Sequence, residues 1–429
     1  MSFINIHTHT FTAKNAPERF LNLYMPDVAA NLIDTVTNSS VGASIVASLL
    51  NLGPAGFKRY ASFLKIGKSK TQREIFEHLM QQYTSDHMQF VALSMYMEEM
   101  GAGNSVSGFG GQLEELIQLK KMYPEQLLIF MGLDPRMKGN AQDILTFVQN
   151  AFNEKIVSGD KTYAPFCGLK IYPSTGFYIF DDRLFPVLEW AAQNEVPIIS
   201  HCNYLGGIFN NSKDDLETLL NPNIGYGYNQ SYHDYCVSKG LLPPAYRKKN
   251  NFWKWITGMN NQNKNKYSCS YFLEPASFEP VLQYFQDKGT PLKICLAHYG
   301  GEEQIHIAAL GKKPGKYADP PLGTKAMNWY KQIQEMMSRF PSLYTDISYA
   351  VHDNNLHTTF LNEACDQTYG ERVLFGTDYY MTERDKSEKR NYLEFRANAI
   401  ARKNNKNQTL WEQMSKTAPA QFLKGPYYT

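Results

Sequence analysis

Eight short apolar runs, each set off from the next by polar or helix-patterned sequence, constrain this chain more than any other feature. They are Phe3 to His7, Gln89 to Met95, Leu127 to Leu133, Phe166 to Ile171, Pro197 to His201, Leu292 to His298, Leu343 to Ile347 and Val373 to Asp378. Between them lie segments with apolar residues at helical spacing, such as Arg73 to Tyr83, Gln112 to Met122, Arg183 to Asn194, Phe278 to Lys288 and Ala326 to Phe340. In the last of these, Trp329, Ile333, Met336 and Met337 form a stripe that reads as a core face. This alternation is the signature of parallel strands joined by helical crossovers. Runs such as LKICLA and VLFG are apolar without interruption, as a sheet buried on both faces requires. Eight parallel strands can close on themselves, so the expected fold is α/β, a (β/α)8 TIM barrel, with an open doubly wound sheet as the structural alternative.

A chain of 429 residues, 43% of them apolar, can bury a large core, and one decorated domain over residues 1–429 accounts for that length. Two stretches break the alternation, at about 10–70 and 203–277, each directly after a strand that ends in histidine. Loops after barrel strands lie on the catalytic face, so these insertions, after strands 1 and 5, are candidate lids or substrate walls. The second carries Tyr226, Tyr228, Tyr232, Trp253 and Trp255, rings that serve equally for substrate contact or for packing the insertion on the barrel. Its basic run, Arg247, Lys248 and Lys249, reads as a solvated surface. Val41 to Leu52 is broken by Gly42, Ser44, Ser48 and Asn51, falls short of the ~20 residues needed to span a bilayer, and reads as a buried helix.

The 43 basic and 41 acidic side chains leave a formal charge of +2, which supplies no field to draw the protein to nucleic acid or an anionic membrane. A small-molecule substrate is the expected partner, and a homo-oligomer is compatible with the same surface. The six cysteines, Cys167, Cys202, Cys236, Cys269, Cys295 and Cys365, lack both the paired spacing of a zinc ribbon and the density of a disulfide scaffold, and read as reduced thiols. The opening MSFINIHTHT lacks the basic start and apolar stretch of a secretory signal, so the expected location is cytoplasmic.

His7 and His9 are two residues apart on the first strand, where side chains at i and i+2 share a face and two imidazoles can hold one cation. Three more strands end alike: His201 closes PIISH, His298 closes LKICLAH and Asp378 closes RVLFGTD. Any one of these histidines alone reads as a buried ring satisfied by a carbonyl. Their recurrence at four of the eight strand ends favours a shared centre at one rim, where imidazole nitrogens and a carboxylate suit a divalent metal such as zinc.

With these pieces in order, the chain resembles the amidohydrolase superfamily, in particular its amidohydrolase-related branch of metal-dependent TIM-barrel enzymes, which includes decarboxylases as well as hydrolases. The matching segments are INIHTHT, FCGLKIYPSTGF, VPIISHC, CLAHYGG and LFGTDYY, and WEQMSKTAPAQFLKG resembles the closing helix. The resemblance spans nearly the whole chain and is specific at the strand ends. It implies that His7, His9, His201 and Asp378 ligate the metal, and that His298 binds a second metal or polarises the reacting group. Lys170 matches the position that is carbamylated to bridge two metals in binuclear members and is no ligand in many mononuclear ones. Asn5 stands where the family often has an acid.

The implied mechanism lowers the pKa of a water toward ~7, with Asp378 moving its proton to a leaving group. The expected function is therefore metal-dependent hydrolysis of a C–N or ester-like bond, with Asp378 and His298 catalytic. Metal-dependent decarboxylation on the same site is the first alternative, and a barrel that binds without catalysing is the second. A related metal-dependent deoxyribonuclease would carry an acid where Lys170 stands. Arg136, in GLDPR, and Tyr172 are candidate substrate-binding residues, Tyr299 reads as packing or rim, and Cys202 as structural. His306, His352 and His357 are assigned no role.

Overall fold

The structure is a computed structural model that describes residues 2–18, 69, 71–204, 230–240, 270, 272–312 and 328–428. The eight expected strands are all present: β1 (Phe3–Thr8), β2 (Met88–Leu93), β3 (Leu127–Leu133), β4 (Gly168–Ile171), β5 (Ile198–Ser200), β6 (Ile294–Leu296), β7 (Leu343–Asp346) and β8 (Val373–Leu374). They pair in sequence order within one eight-stranded sheet, every ladder parallel. The ends of the sheet meet, since Ile6 N donates to Phe375 O at 3.0 Å and Asp378 N to His7 O at 2.9 Å. That seam rules out the open sheet and makes the fold a TIM barrel.

Apolar side chains divide between the two faces of the strands. Outward residues such as Phe90, Ile129 and Leu169 belong to the layer beneath the helices. Inward residues such as Ile4, Ile6, Val91 and Phe130 fill the barrel, and Phe422 and Leu423 of the last helix (Ala418–Leu423) join them. Gly168 is required here, because a Cβ at that position would lie 2.3 Å from the Phe130 ring. Helices start where side chains receive otherwise unpaired backbone donors: Thr71 from Glu74 N, Asn140 from Asp143 N and Asn328 from Lys331 N. The Trp329 stripe is buried, as its spacing indicates.

Six strands are shorter than their apolar runs, the sixth and the eighth most markedly. Leu292 to His298 narrows to Ile294–Leu296 and Val373 to Asp378 to Val373–Leu374, because the chain turns out of the sheet through left-handed backbone at His298 (φ 63°) and Asp378 (φ 61°). Most of the two insertions, including Val41 to Leu52, Tyr226, Tyr228, Trp253, Trp255 and the basic run, lies outside the described residues. Within the second insertion, Tyr232 of the Gln230–Ser238 helix is buried against Phe185 and Tyr284, with ring centroids at 4.9 and 5.7 Å, so this ring packs the insertion onto the barrel's helices. The described cysteines are free thiols. Burial raises the Cys202 thiol, whose Sγ faces Leu273 O, in keeping with a structural role. Among the described residues, no helix is long and apolar enough to cross a membrane.

Candidate metal centre at the barrel mouth

β1 carries His7 and delivers His9 one step past its end; strict alternation from the inward Ile4 and Ile6 would turn both rings outward, and the register shift between Asn5 and Thr8 brings them to the inward face at the C-terminal rim. Gly376 lets the exit from β8 pass close by, since a Cβ there would meet His7 Cβ at 2.8 Å. Asp378 follows, its Oδ1 lying 3.2 Å from His9 Nε2 and 3.6 Å from His7 Nε2. All three residues are buried.

The partners of the other ring nitrogens fix the tautomers. His9 Nδ1 is 3.2 Å from Leu93 O, which can only accept, so Nδ1 carries the proton. His7 Nδ1 is 2.9 Å from Asp346 Oδ2. Burial lowers the His7 pKa to about 3, so the ring is neutral and donates through Nδ1. Burial raises Asp346, but His7 beside it and the amide of His298 outweigh this and hold the carboxyl below its usual range. Burial likewise raises Asp378, and the contact with His9 together with the nearby His298 and His7 keeps it lowered and ionised. Two imidazole nitrogens and a carboxylate oxygen therefore face one another across 4.8 Å or less. His7 Nε2 is buried without a hydrogen-bond partner. Such a set of acceptors fits a divalent cation.

Asp346, the last residue of β7, is not singled out by sequence. Its carboxylate also lies within 4.8 Å of ligand atoms of His7 and His298, a second group that could hold an ion. Oδ1 accepts from His298 N and Ser348 N, each at 3.0 Å, and from Ser348 Oγ, while Oδ2 accepts from His7. These bonds hold the His7 ring and the His298 amide in place.

His298 and His201 are joined directly, Nε2 to Nδ1, at 2.9 Å. His298 Nδ1 lies 2.9 Å from Ser348 Oγ, whose own proton goes to Asp346, and 3.3 Å from the Ser348 carbonyl, so Nδ1 carries the proton and Nε2 accepts from His201. His201 thus reaches the centre through His298 and is not among the residues whose ligand atoms converge within 4.8 Å. Both His298 and Asp378 have positive φ, strain of a kind that concentrates at functional sites. Lys170 on β4 is 2% exposed, its Nζ lacks a hydrogen-bond partner among the described residues, and burial lowers its pKa to about 8.

The remaining candidates lie around this group. The ring of Tyr172 meets that of His201 edge-on, centroids 4.6 Å apart. Arg136 is clasped by Asp134, Nε to Oδ1 at 2.8 Å and Nη2 to Oδ2 at 2.7 Å, and donates to Thr175 O at 3.1 Å. Tyr299 donates to Glu363 at 2.9 Å. His306 pairs with Asp353 at 2.8 Å, and His357 is satisfied by Val351 O at 2.8 Å.

Eight parallel strands with imidazoles and carboxylates gathered at their C-terminal ends define a (β/α)8 barrel protein with its candidate site at the mouth. The amidohydrolase family model matches residues 121–412, and this chain belongs to that family. The matched span excludes β1, so the His7 and His9 pair stands on the geometry just described. No curated protein matches the chain. Among solved structures, an uncharacterized TIM-barrel protein from Bordetella bronchiseptica aligns with 99% of this chain and 98% of its own, at 12% identity and a TM-score of 0.49. The 5-carboxyvanillate decarboxylase from Sphingomonas paucimobilis aligns over 99% of both chains at 12% identity, TM-score 0.47. That from Novosphingobium aromaticivorans, complexed with manganese, aligns over 98% of this chain and 96% of its own at 12% identity, TM-score 0.46.

Proposed function

We propose that this chain is a single-ion metalloenzyme that acts on a carboxylate-bearing small molecule, and that its reaction is decarboxylation. The observation that carries the reading is the presence in one buried mouth of the orphaned His7 Nε2 and the orphaned Lys170 Nζ. The first, with His9 and Asp378, forms a donor set suited to Zn²⁺ or Mn²⁺. The second argues against a second ion, because an ammonium is a cation beside a cation. Lys170 is a buried ammonium beside the ionised Asp346 and Asp378, a cation that a substrate carboxylate can pair with.

A divalent ion held there would supply Lewis acidity, polarising a substrate oxygen and lowering the pKa of a nearby water toward ~7. Asp378 is the group we assign to proton transfer. The bond to the substrate carboxylate breaks and its electron pair stays on the carbon. Asp378, ionised at rest, takes up one proton from solvent and passes it to that carbon in place of the departing carbon dioxide, which returns Asp378 to its carboxylate. His298 holds the reacting group, His201 fixes the His298 ring or completes the ligand set, and Tyr172 faces substrate. Arg136 would have to leave Asp134 to contact a substrate directly.

The second reading is hydrolysis of a C–N or ester-like bond, favoured by the ionised state of Asp378, a base ready to take a water proton and pass it to a leaving group. Protein loaded with Zn²⁺ or Mn²⁺ and screened against carboxylates, amides and lactones in ¹⁸O-labelled water separates the two. We expect carbon dioxide without label in the organic product. Labelled product without carbon dioxide would establish hydrolysis, and two ions per chain with extra mass on Lys170 would replace the single-ion centre by a carbamate-bridged one.

A further inference from the structure

Beneath the mouth, the seam between β1 and β8 is closed by a ring of side chains. Asn5, Tyr83, Thr377 and Glu388 are buried, Asn5, Thr377 and Glu388 completely so. Asn5 Oδ1 accepts from the amides of His7 at 3.2 Å and Thr377 at 3.3 Å, tying the strand that bears His7 to the segment that bears Asp378. Asn5 Nδ2 donates to Tyr83 Oη and to Thr377 Oγ1, each at 2.8 Å. Those two hydroxyls in turn donate to Glu388 Oε1, at 2.5 and 2.7 Å.

Burial pushes the pKa of the Glu388 carboxyl up to about 8, so it carries a proton, which belongs on Oε2 because that oxygen has no partner and Oε1 faces both hydroxyls; each hydroxyl then spends its one proton on Oε1 and receives from Asn5. The ring therefore has a direction: the amide of Asn5 is its only donor pole and the carboxyl of Glu388 its acceptor pole. An aspartate at position 5 could still accept from the two amides but would set an acceptor against two hydroxyls already committed elsewhere. Swapping both poles, with an acid at position 5 and an amide at position 388, reverses every bond and closes the ring again.

We infer that Asn5 and Glu388 are positioning residues, a directional hydrogen-bond pair that sets the spacing between His7 and Asp378. The inference rests on the metal-centre reading above, and outer hydrogen bonds of this kind are worth ~10–100-fold in metal affinity elsewhere. The test is competitive Zn²⁺ titration against a chromophoric chelator for wild type, Asn5→Asp, Glu388→Gln and the double variant, with the visible spectrum of each Co²⁺-loaded form. Asn5→Asp is expected to weaken binding by ~10–100-fold and to shift the Co²⁺ bands. Glu388→Gln, whose amide oxygen can still accept, is expected to cost less than ~5-fold, and the double variant to return to within ~5-fold of wild type with the wild-type spectrum.

Losses that add in the double variant, or a fall in melting temperature with affinity and spectrum unchanged, would overturn the inference. Should Asn5→Asp fail to fold, Tyr83→Phe opens the ring at one hydroxyl and is expected to weaken binding by ~3–10-fold; wild-type affinity in that variant would be equally fatal. A wild-type chain that binds no ion removes the metal reading itself. A wild-type chain that binds while all variants bind alike removes only this inference.

Discussion

The two ends of the barrel are built from the same eight strands and could hardly differ more. Towards the closing helix, the interior is filled by aliphatic and aromatic side chains, with Phe422 against Phe130 and Tyr344 at ring-centroid distances of 6.3 and 4.9 Å. At the mouth, a few residues further along the strands, His298 and Asp378 have left-handed backbone and two buried nitrogens lack partners. The closed end gains stability by burying apolar area. The mouth forgoes some of it, because groups that bind and move protons must be left incompletely satisfied within the protein. Stability and chemistry are thus separated along the strand axis.

Substitutions at the two ends should therefore have opposite signatures. The largest effect is expected from Asp378→Asn at the mouth, with turnover falling on the order of 1,000-fold while melting temperature and most of the metal are retained. Steady-state kinetics with elemental analysis checks this, and normal turnover in the folded variant would remove Asp378 from its role. Next, Phe422→Ala at the closed end should lower unfolding free energy by ~3–5 kcal/mol in denaturant titration, with no change in ions bound per folded chain. A loss of metal from that folded variant would show that the two ends are coupled.

The smallest effect sharpens the contrast. Lys170 in the metal-free fold has its pKa depressed from 10.5 to about 8, so between those values the unfolded chain binds more protons than the folded one. Stability of the metal-free protein should rise with pH across that window and be penalised below it, by on the order of a few kcal/mol at most. Lys170→Met should abolish this slope and raise the melting temperature at pH 7, while weakening turnover of a carboxylate substrate. Parallel slopes for the two proteins would mean that Lys170 is not desolvated as described.

The fold was legible because its signal is local and repeated: uninterrupted apolar runs at the strands and helical stripes between them. The strand ends yielded His7, His9 and Asp378 for the same reason, as polar residues closing apolar runs. Asp346 escapes that rule, because it lies inside the run Leu343 to Ile347, behind Tyr344 and Thr345, and does not close it. Glu388 could not be read at all, because it lies in the first turn of a helix and meets Asn5 across 383 positions of chain. The left-handed turns at His298 and Asp378 were hidden as well. Neither is glycine, and their conformation is set by the packing around them. His201 shows the remaining limit, for its motif placed it at the rim but did not reveal that its Nδ1 is bound to His298.

Everything assigned to the mouth depends on His7, His9 and Asp378 sharing one ion. Crystals of the Zn²⁺-loaded protein, measured on either side of the zinc absorption edge, test this most directly. The account predicts a single anomalous peak per chain, within bonding distance of His7 Nε2, His9 Nε2 and a carboxylate oxygen of Asp378. A peak elsewhere in the barrel, a second peak beside Lys170, or a fully loaded crystal with none at these three residues would contradict it.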